Sequence, residues 1–206
     1  MKKILVFGDS NTWGDNFITR RRIPDDKQWC NILQKKLGSD YKVYQEGLPG
    51  RFAGSVEKED TFKNGIDTFL STYKSIAPLD ILIISLGSND LRPDYDRSSD
   101  DIIKDLLKYK ELLEIEFNED NNRYFNGKLP EIIYLLPVNF VPWDDSYLNI
   151  FKKKEKDRQD IIKYFNDNHI RNISFDKISL FEDGIHMNYD GHKEVANRVF
   201  GELKNE

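Results

Sequence analysis

Short apolar runs alternate along this chain with stretches whose apolar positions recur every three to four residues. Ile4 to Phe7 is an unbroken apolar run and predicts a first strand. In "WCNILQKKLG" the residues Trp29, Ile32, Leu33 and Leu37 fall on one helical face, and Gly38 is a stop signal just beyond them. "YKVYQE", from Tyr41, predicts a short second strand, and Ile66, Phe69, Leu70 and Tyr73 predict a helix. "DILIISLG", Asp80 to Gly87, is the pattern of a central strand covered on both faces. A helix over "SSDDIIKDLLKYKELLEIEF" follows, with Ser98 and Asp101 spaced as a capping box. "EIIYLLP", from Glu131, is a fourth strand. A charged helix runs from about Leu148 to Asn166, "NISFD", from Asn172, is a weak fifth strand, and "HKEVANRVFGELK", from His192, is a last helix.

This alternation predicts an α/β fold with a five-stranded parallel sheet and right-handed crossovers. No repeat or linker divides the chain, so residues 1–206 are expected to form a single domain. The polar stretch Asn118 to Lys128 predicts a loop before the fourth strand.

Composition narrows the partners. The net charge is −5, and the one lysine run, Lys152-Lys153-Lys154, is followed by Glu155, Asp157 and Asp160, as on a solvated helix face. Nucleic acid and anionic membranes are therefore not expected as partners. Cys30 is the one cysteine, so no intrachain disulfide is possible, and its helical setting makes it a small core residue. The apolar run after Lys2 and Lys3 is too short for a signal peptide, and none approaches the roughly 18 residues of a membrane span. A cytoplasmic protein is the expectation. Without a GxGxxG or phosphate-loop pattern, no nucleotide cofactor is expected.

In an open parallel sheet, ligands bind beyond the carboxyl ends of the strands. The residues that follow the predicted strands are unusual: "GDSNTWG", "EGLPGRFAG", "GSND" and "EDGIHMNYDGH". Ser10, at the end of the first strand, is either a helix cap or a nucleophile. As a nucleophile it needs a base, and His186 is the best placed by sequence, with Asp183 three residues earlier able to fold back onto the imidazole. Ester cleavage also needs donors for an oxyanion. Asn89 offers a side-chain NH2, Gly50 an unobstructed N–H with Gly47 as a competitor, and Ser10 its own N–H. Asp9 reads as a structural residue tying the loop in place. Of the other histidines, His169 suits a helix C-terminus, and His192 lacks an acid three residues before it. A zinc site would need more His, Cys or carboxylate ligands at suitable spacing than the chain offers, so no metal is expected.

The ordered blocks "GDSNTWG", "GLPGR", "GSND" and "DGIH" resemble those of the GDSL-type, or SGNH, hydrolases, and they extend over nearly the whole chain, from Gly8 to His186. The form of the first two is most similar to the small intracellular bacterial arylesterase and acyltransferase branch. The resemblance implies a three-layer α/β/α flavodoxin-like fold and a cofactor-independent serine esterase. It implies Ser10 as nucleophile, Asp183 and His186 as acid and base, and Ser10, Gly50 and Asn89 as the oxyanion hole. Two departures stand out. Phe52 follows Arg51 where the family usually has Thr, and the Asn118–Lys128 loop is longer than usual.

Trp13 and Trp143 follow strand ends and are either core aromatics or, with Arg51, the walls of a substrate pocket. "VNFVPW", from Val138, is a further apolar wall in that reading. The expected substrate is a small short-chain ester, acetyl-type, with a homo-oligomer possible. The alternatives are lysophospholipase or thioesterase action on longer acyl chains, and a non-catalytic acyl-sugar binding module on the same fold.

Overall fold

The computed structural model describes residues 1–119, 123–139 and 145–204, with side chains given for all of these except 145–153. The main sheet is parallel throughout. β1 (Lys2–Gly8) lies between β4 (Tyr41–Gly47) and β5 (Ile81–Ser85), followed outward by β6 (Glu131–Leu135) and β7 (Asn172–Ile173). Numbering these five by appearance gives the order 2-1-3-4-5, that of flavodoxin-like sheets. Gly8 aligns with Gly47 on one side and Ser85 on the other, so the strand ends that carry the unusual blocks share one edge.

The unbroken apolar run of β1 has a direct cause. Its side chains alternate between two cores. Ile4 and Val6 pack with α2 (Trp29–Leu37) and α6 (Tyr189–Lys204), through Trp29, Leu33, Val195 and Val199. Leu5 and Phe7 pack with α3 (Gly65–Ile76), α4 (Ser99–Glu119) and α5 (Asp145–Asp167), through Phe69, Tyr109, Ile161 and Phe165. The result is the expected three-layer α/β/α architecture. Cys30 is buried among these residues. The capping box also forms: Ser98 Oγ accepts from the Asp101 N–H at 3.2 Å, and Asp101 Oδ2 accepts from the Ser98 N–H at 3.1 Å. No helix among the described residues is long and apolar enough to cross a membrane.

The structure departs from the sequence pattern in four places. The last strand is two residues long, because Phe175 in "NISFD" is buried by packing, not by pairing. A short antiparallel hairpin, β2 (Asp15–Asn16) with β3 (Arg21–Arg22), arises where no apolar alternation exists. Its turn is made by Asn16, whose Oδ1 accepts from the Ile18 and Thr19 N–H groups at 3.0 and 3.1 Å. Lys154 is not on a solvated face. Its Nζ donates to the Arg97 carbonyl at 2.8 Å and pairs with Asp157 at 3.2 Å, while the side chains of Lys152 and Lys153 lie outside those described. In the polar loop before β6, Phe125 is buried against Tyr73 and Phe117, with ring centroids 5.6 and 5.2 Å away, so it plugs the core beside α3 and α4.

Candidate active site

β1 runs directly into a single helical turn, α1 (Ser10–Trp13). Asp9 is its N-cap: the carboxylate accepts from the Asn11 N–H at 2.9 Å, and the Asp9 carbonyl accepts from Trp13 at 2.9 Å. Gly14 ends the turn at φ +89°, a conformation glycine adopts without strain. The helix is pressed onto the sheet edge. A Cβ at Gly8 would sit 2.1 Å from Thr12 Oγ1, and one at Gly47 would sit 2.2 Å from the Trp13 nitrogen. Glycine at these two positions allows the contact, which holds Ser10 at the tip of β1. Burial pushes the Asp9 carboxyl up to about 6, against the hydrogen bond from Asn11.

The loop between β7 and α6 arrives at the same place. Asp183 Oδ1 accepts from the Ile185 and His186 N–H groups, each at 3.1 Å, so the carboxylate folds back over its own turn. Its other oxygen takes a short hydrogen bond from His186 Nδ1. His186 Nε2 lies 3.0 Å from Ser10 Oγ. Serine, histidine and aspartate thus stand in one hydrogen-bonded line. Burial pulls the His186 pKa down, but the hydrogen bond and charge of Asp183, with the charges of Asp15 and Asp9, outweigh it, and the net shift is upward. Burial likewise opposes ionisation of Asp183, yet the bonds from His186 and Ile185 hold its carboxyl below the ordinary value.

Asn11, to which the sequence reading gave no role, locks this loop to α1. Its Oδ1 accepts from the Met187 N–H at 2.8 Å and its Nδ2 donates to the Ile185 carbonyl at 3.3 Å, one residue either side of His186. The two middle blocks are joined in the same way. Asn89 Nδ2 donates to the Arg51 carbonyl at 3.0 Å, which leaves its second N–H for another acceptor. Asp90, fully buried, accepts from the Ala53 N–H at 2.8 Å and from Arg97 at 2.5 Å. Gly50 turns at φ +79°, and neither its N–H nor that of Ser10 donates to another described residue.

The sequence model of GDSL-like lipases and acylhydrolases matches residues 4–199. The chain belongs to that family. It is a carboxylic ester hydrolase by class. A carbohydrate acetylesterase family member from Sinorhizobium meliloti superposes with a TM-score of 0.83 at 23% identity, covering 100% of this chain and 98% of the other. The aryl esterase of M. smegmatis gives 0.82 at 23%, with 100% and 99% covered. A second Sinorhizobium meliloti carbohydrate acetylesterase gives 0.84 at 21%, with 100% and 99% covered. At such identities these likenesses bear on the fold alone. A comparison with curated proteins gives no match.

Other residues of this GDSL-family chain take structural places. His192 is fully buried; its Nδ1 accepts from the Trp29 N–H at 3.2 Å, capping α2, and burial pulls its pKa down to about 3. It is neutral at any ordinary pH. His169 lies just past the end of α5, in a left-handed conformation at φ +52°. Arg51 turns inward: its Nη1 donates to the Gly8 and Glu46 carbonyls at 3.0 and 2.6 Å, and its guanidinium stacks 4.0 Å above the Phe7 ring. Trp13 is half-buried with the Arg22 guanidinium 5.6 Å above its ring. Val138 is in the core, and Asn139 Oδ1 accepts from the Ile178 N–H at 2.8 Å; Trp143 lies outside the described residues.

Proposed function

We propose that this GDSL-family esterase hydrolyses short-chain, acetyl-type esters through an acyl-Ser10 intermediate. The observation that carries the reading is the line from Ser10 Oγ to His186 Nε2, 3.0 Å, and from His186 Nδ1 to Asp183. His186 takes the hydroxyl proton as Oγ attacks the ester carbonyl. Asp183 holds the tautomer and stabilises the imidazolium that forms. The oxyanion is received by the Ser10 and Gly50 N–H groups and the unused N–H of Asn89. Collapse expels the alkoxide, which takes the proton from Nε2. Water then repeats the sequence on the acyl-serine, with His186 again as base, and releases the acid.

A small acyl site fits Trp13, which lies at the far end of the same helical turn as Ser10 and is stiffened by Arg22 on its ring. The structural neighbours, a carbohydrate acetylesterase family member and an aryl esterase, favour the same choice. The test is kcat/KM on p-nitrophenyl esters from C2 to C12. A maximum at C2 or C3 is expected, falling over several carbons, because one methylene shifts discrimination by only about 1–3 kcal/mol. A maximum at C8 or beyond rejects this reading in favour of lysophospholipase or long-chain thioesterase action.

Asn89 supplies a more local prediction. Asn89→Ala is expected to lower kcat by about 10²–10³ with little change in KM, since its donor meets charge that develops only in the transition state. Steady-state kinetics on p-nitrophenyl acetate read both constants. A rise in KM at unchanged kcat would make Asn89 a substrate-binding residue instead.

A further inference from the structure

One carboxylate at the site has no part in the mechanism above. Asp15, the first residue of β2, places Oδ2 3.9 Å from His186 Nε2. That is too far for a hydrogen bond, and Ser10 holds the Nε2 position at 3.0 Å. Asp15 Oδ2 therefore stands next to the reacting pair without competing for it. Its side chain is about one-quarter exposed, at 27%, so it is reachable from solvent. Among the described residues its one ion-pair contact is His186. Arg22, its partner across the hairpin, directs Nε to the Trp13 carbonyl at 2.6 Å instead.

The position has a chemical consequence, which rests on the serine-esterase reading. The leaving oxygen of the ester must collect its proton from Nε2, so it must come within hydrogen-bond distance of that atom. The atoms two bonds further along the alcohol then fall beside Asp15. We propose that Asp15 is a specificity-determining residue on the leaving-alcohol side of this site. Its carboxylate accepts hydrogen bonds from donors on the alcohol half, hydroxyl groups above all, and disfavours esters that carry an anion there. The matching substrate class is a partly acylated polyol, where a free hydroxyl neighbours the ester oxygen.

The experiment uses three acetates of two-carbon alcohols: ethyl acetate, 2-hydroxyethyl acetate and acetoxyacetate, which differ in the group next to the leaving oxygen. In wild type, kcat/KM is expected to be highest for 2-hydroxyethyl acetate and lowest for acetoxyacetate. Asp15→Asn is expected to raise the acetoxyacetate to 2-hydroxyethyl acetate ratio by about fivefold or more, the size of one charge contact in a watery site. Asp15→Glu should keep the wild-type order. A ratio unchanged in Asp15→Asn overturns the assignment. Should Asp15→Asn fail to fold, the salt series on wild type decides: the same ratio must rise between about 0.02 and 0.5 M salt, and a flat series overturns it. A wild-type protein that cleaves none of the three overturns the esterase reading and this proposal together, whereas turnover with an unchanged ratio overturns this proposal alone.

The pH profile checks that the Asp15 charge reaches the catalytic base. The charged or titratable groups facing His186 are Asp183 on its own loop, Asp15 on β2, Asp9 at the end of β1 and the neutral His192 at the start of α6. Removing the Asp15 charge takes away one cause of the raised His186 pKa, so the acid limb of kcat/KM should move to lower pH in Asp15→Asn. An unmoved limb would mean that the Asp15 charge does not reach the site, and would overturn the assignment.

Discussion

Ser10→Ala is expected to lower kcat on p-nitrophenyl acetate by roughly five to six orders of magnitude, because members of a nucleophile–base unit act together and removing one forfeits nearly the whole effect. The fold should survive. Among the described residues the Ser10 hydroxyl bonds only to His186, while the helix it opens is capped by Asp9 and seated on Gly8 and Gly47. The loss is one hydrogen bond, about 1 kcal/mol, or a few degrees in Tm for a chain of this size. A fluorophosphonate probe should label wild type and leave the variant unlabelled. Turnover retained in a folded Ser10→Ala protein would remove the nucleophile from this account, and failure of wild type to take the label would favour a binding module.

His186→Ala should be about as damaging to kcat as Ser10→Ala, for the same reason. His192 provides the contrast. Its replacement by Ala leaves the buried Trp29 N–H without an acceptor, at about 1–3 kcal/mol of stability, yet among the described residues His192 makes no hydrogen bond to Ser10, His186 or Asp183. Thermal unfolding and steady-state kinetics should therefore sort the two variants oppositely. The pH profile follows from the sign of the shift. Neutral imidazole is the base, and the raised His186 pKa means that the neutral form appears only above the ordinary value of about 6.5. In wild type, kcat/KM on p-nitrophenyl acetate should rise through a single limb above that value. A profile flat from about pH 5 upward would contradict His186 as base.

The candidate site was legible because Ser10, Gly50 and Asn89 lie just past predicted strands, and Asp183 lies close enough to His186 to meet it within one loop. The layers were legible because β1 from Ile4 to Phe7 and β5 from Ile81 to Ile84 are unbroken apolar runs, as strands sandwiched by helices must be. What escaped depended on distant contacts. Asn11 matters only because Ile185 and Met187, 174 and 176 residues later, come to meet it. Asp90 in "GSND" gains its place only where Arg97 and Ala53 close around it. Asp15 was hidden because its hairpin is made from polar residues and an Asn-centred turn, with no alternation to announce a strand. Arg51 was assigned a pocket by its neighbours in sequence, and three-dimensional packing gives its charge to two carbonyls and a ring.

The close seating of α1 bears on how this enzyme's scope can be redesigned. Backbone and Thr12 atoms stand about where any side chain at residue 8 or 47 would have to go, with nothing flexible to yield at Gly47. Randomising those two positions in a directed-evolution library would yield mostly unfolded clones. The hairpin from 15 to 22 is different: its tip residues Ile18, Thr19 and Arg20 are exposed, and it is tied down by its own turn and by Arg22 on the Trp13 carbonyl. Variation in new substrates should therefore be sought there and at Trp13, with the glycine frame held constant. Libraries partitioned this way should return most of their altered-specificity clones from the hairpin half.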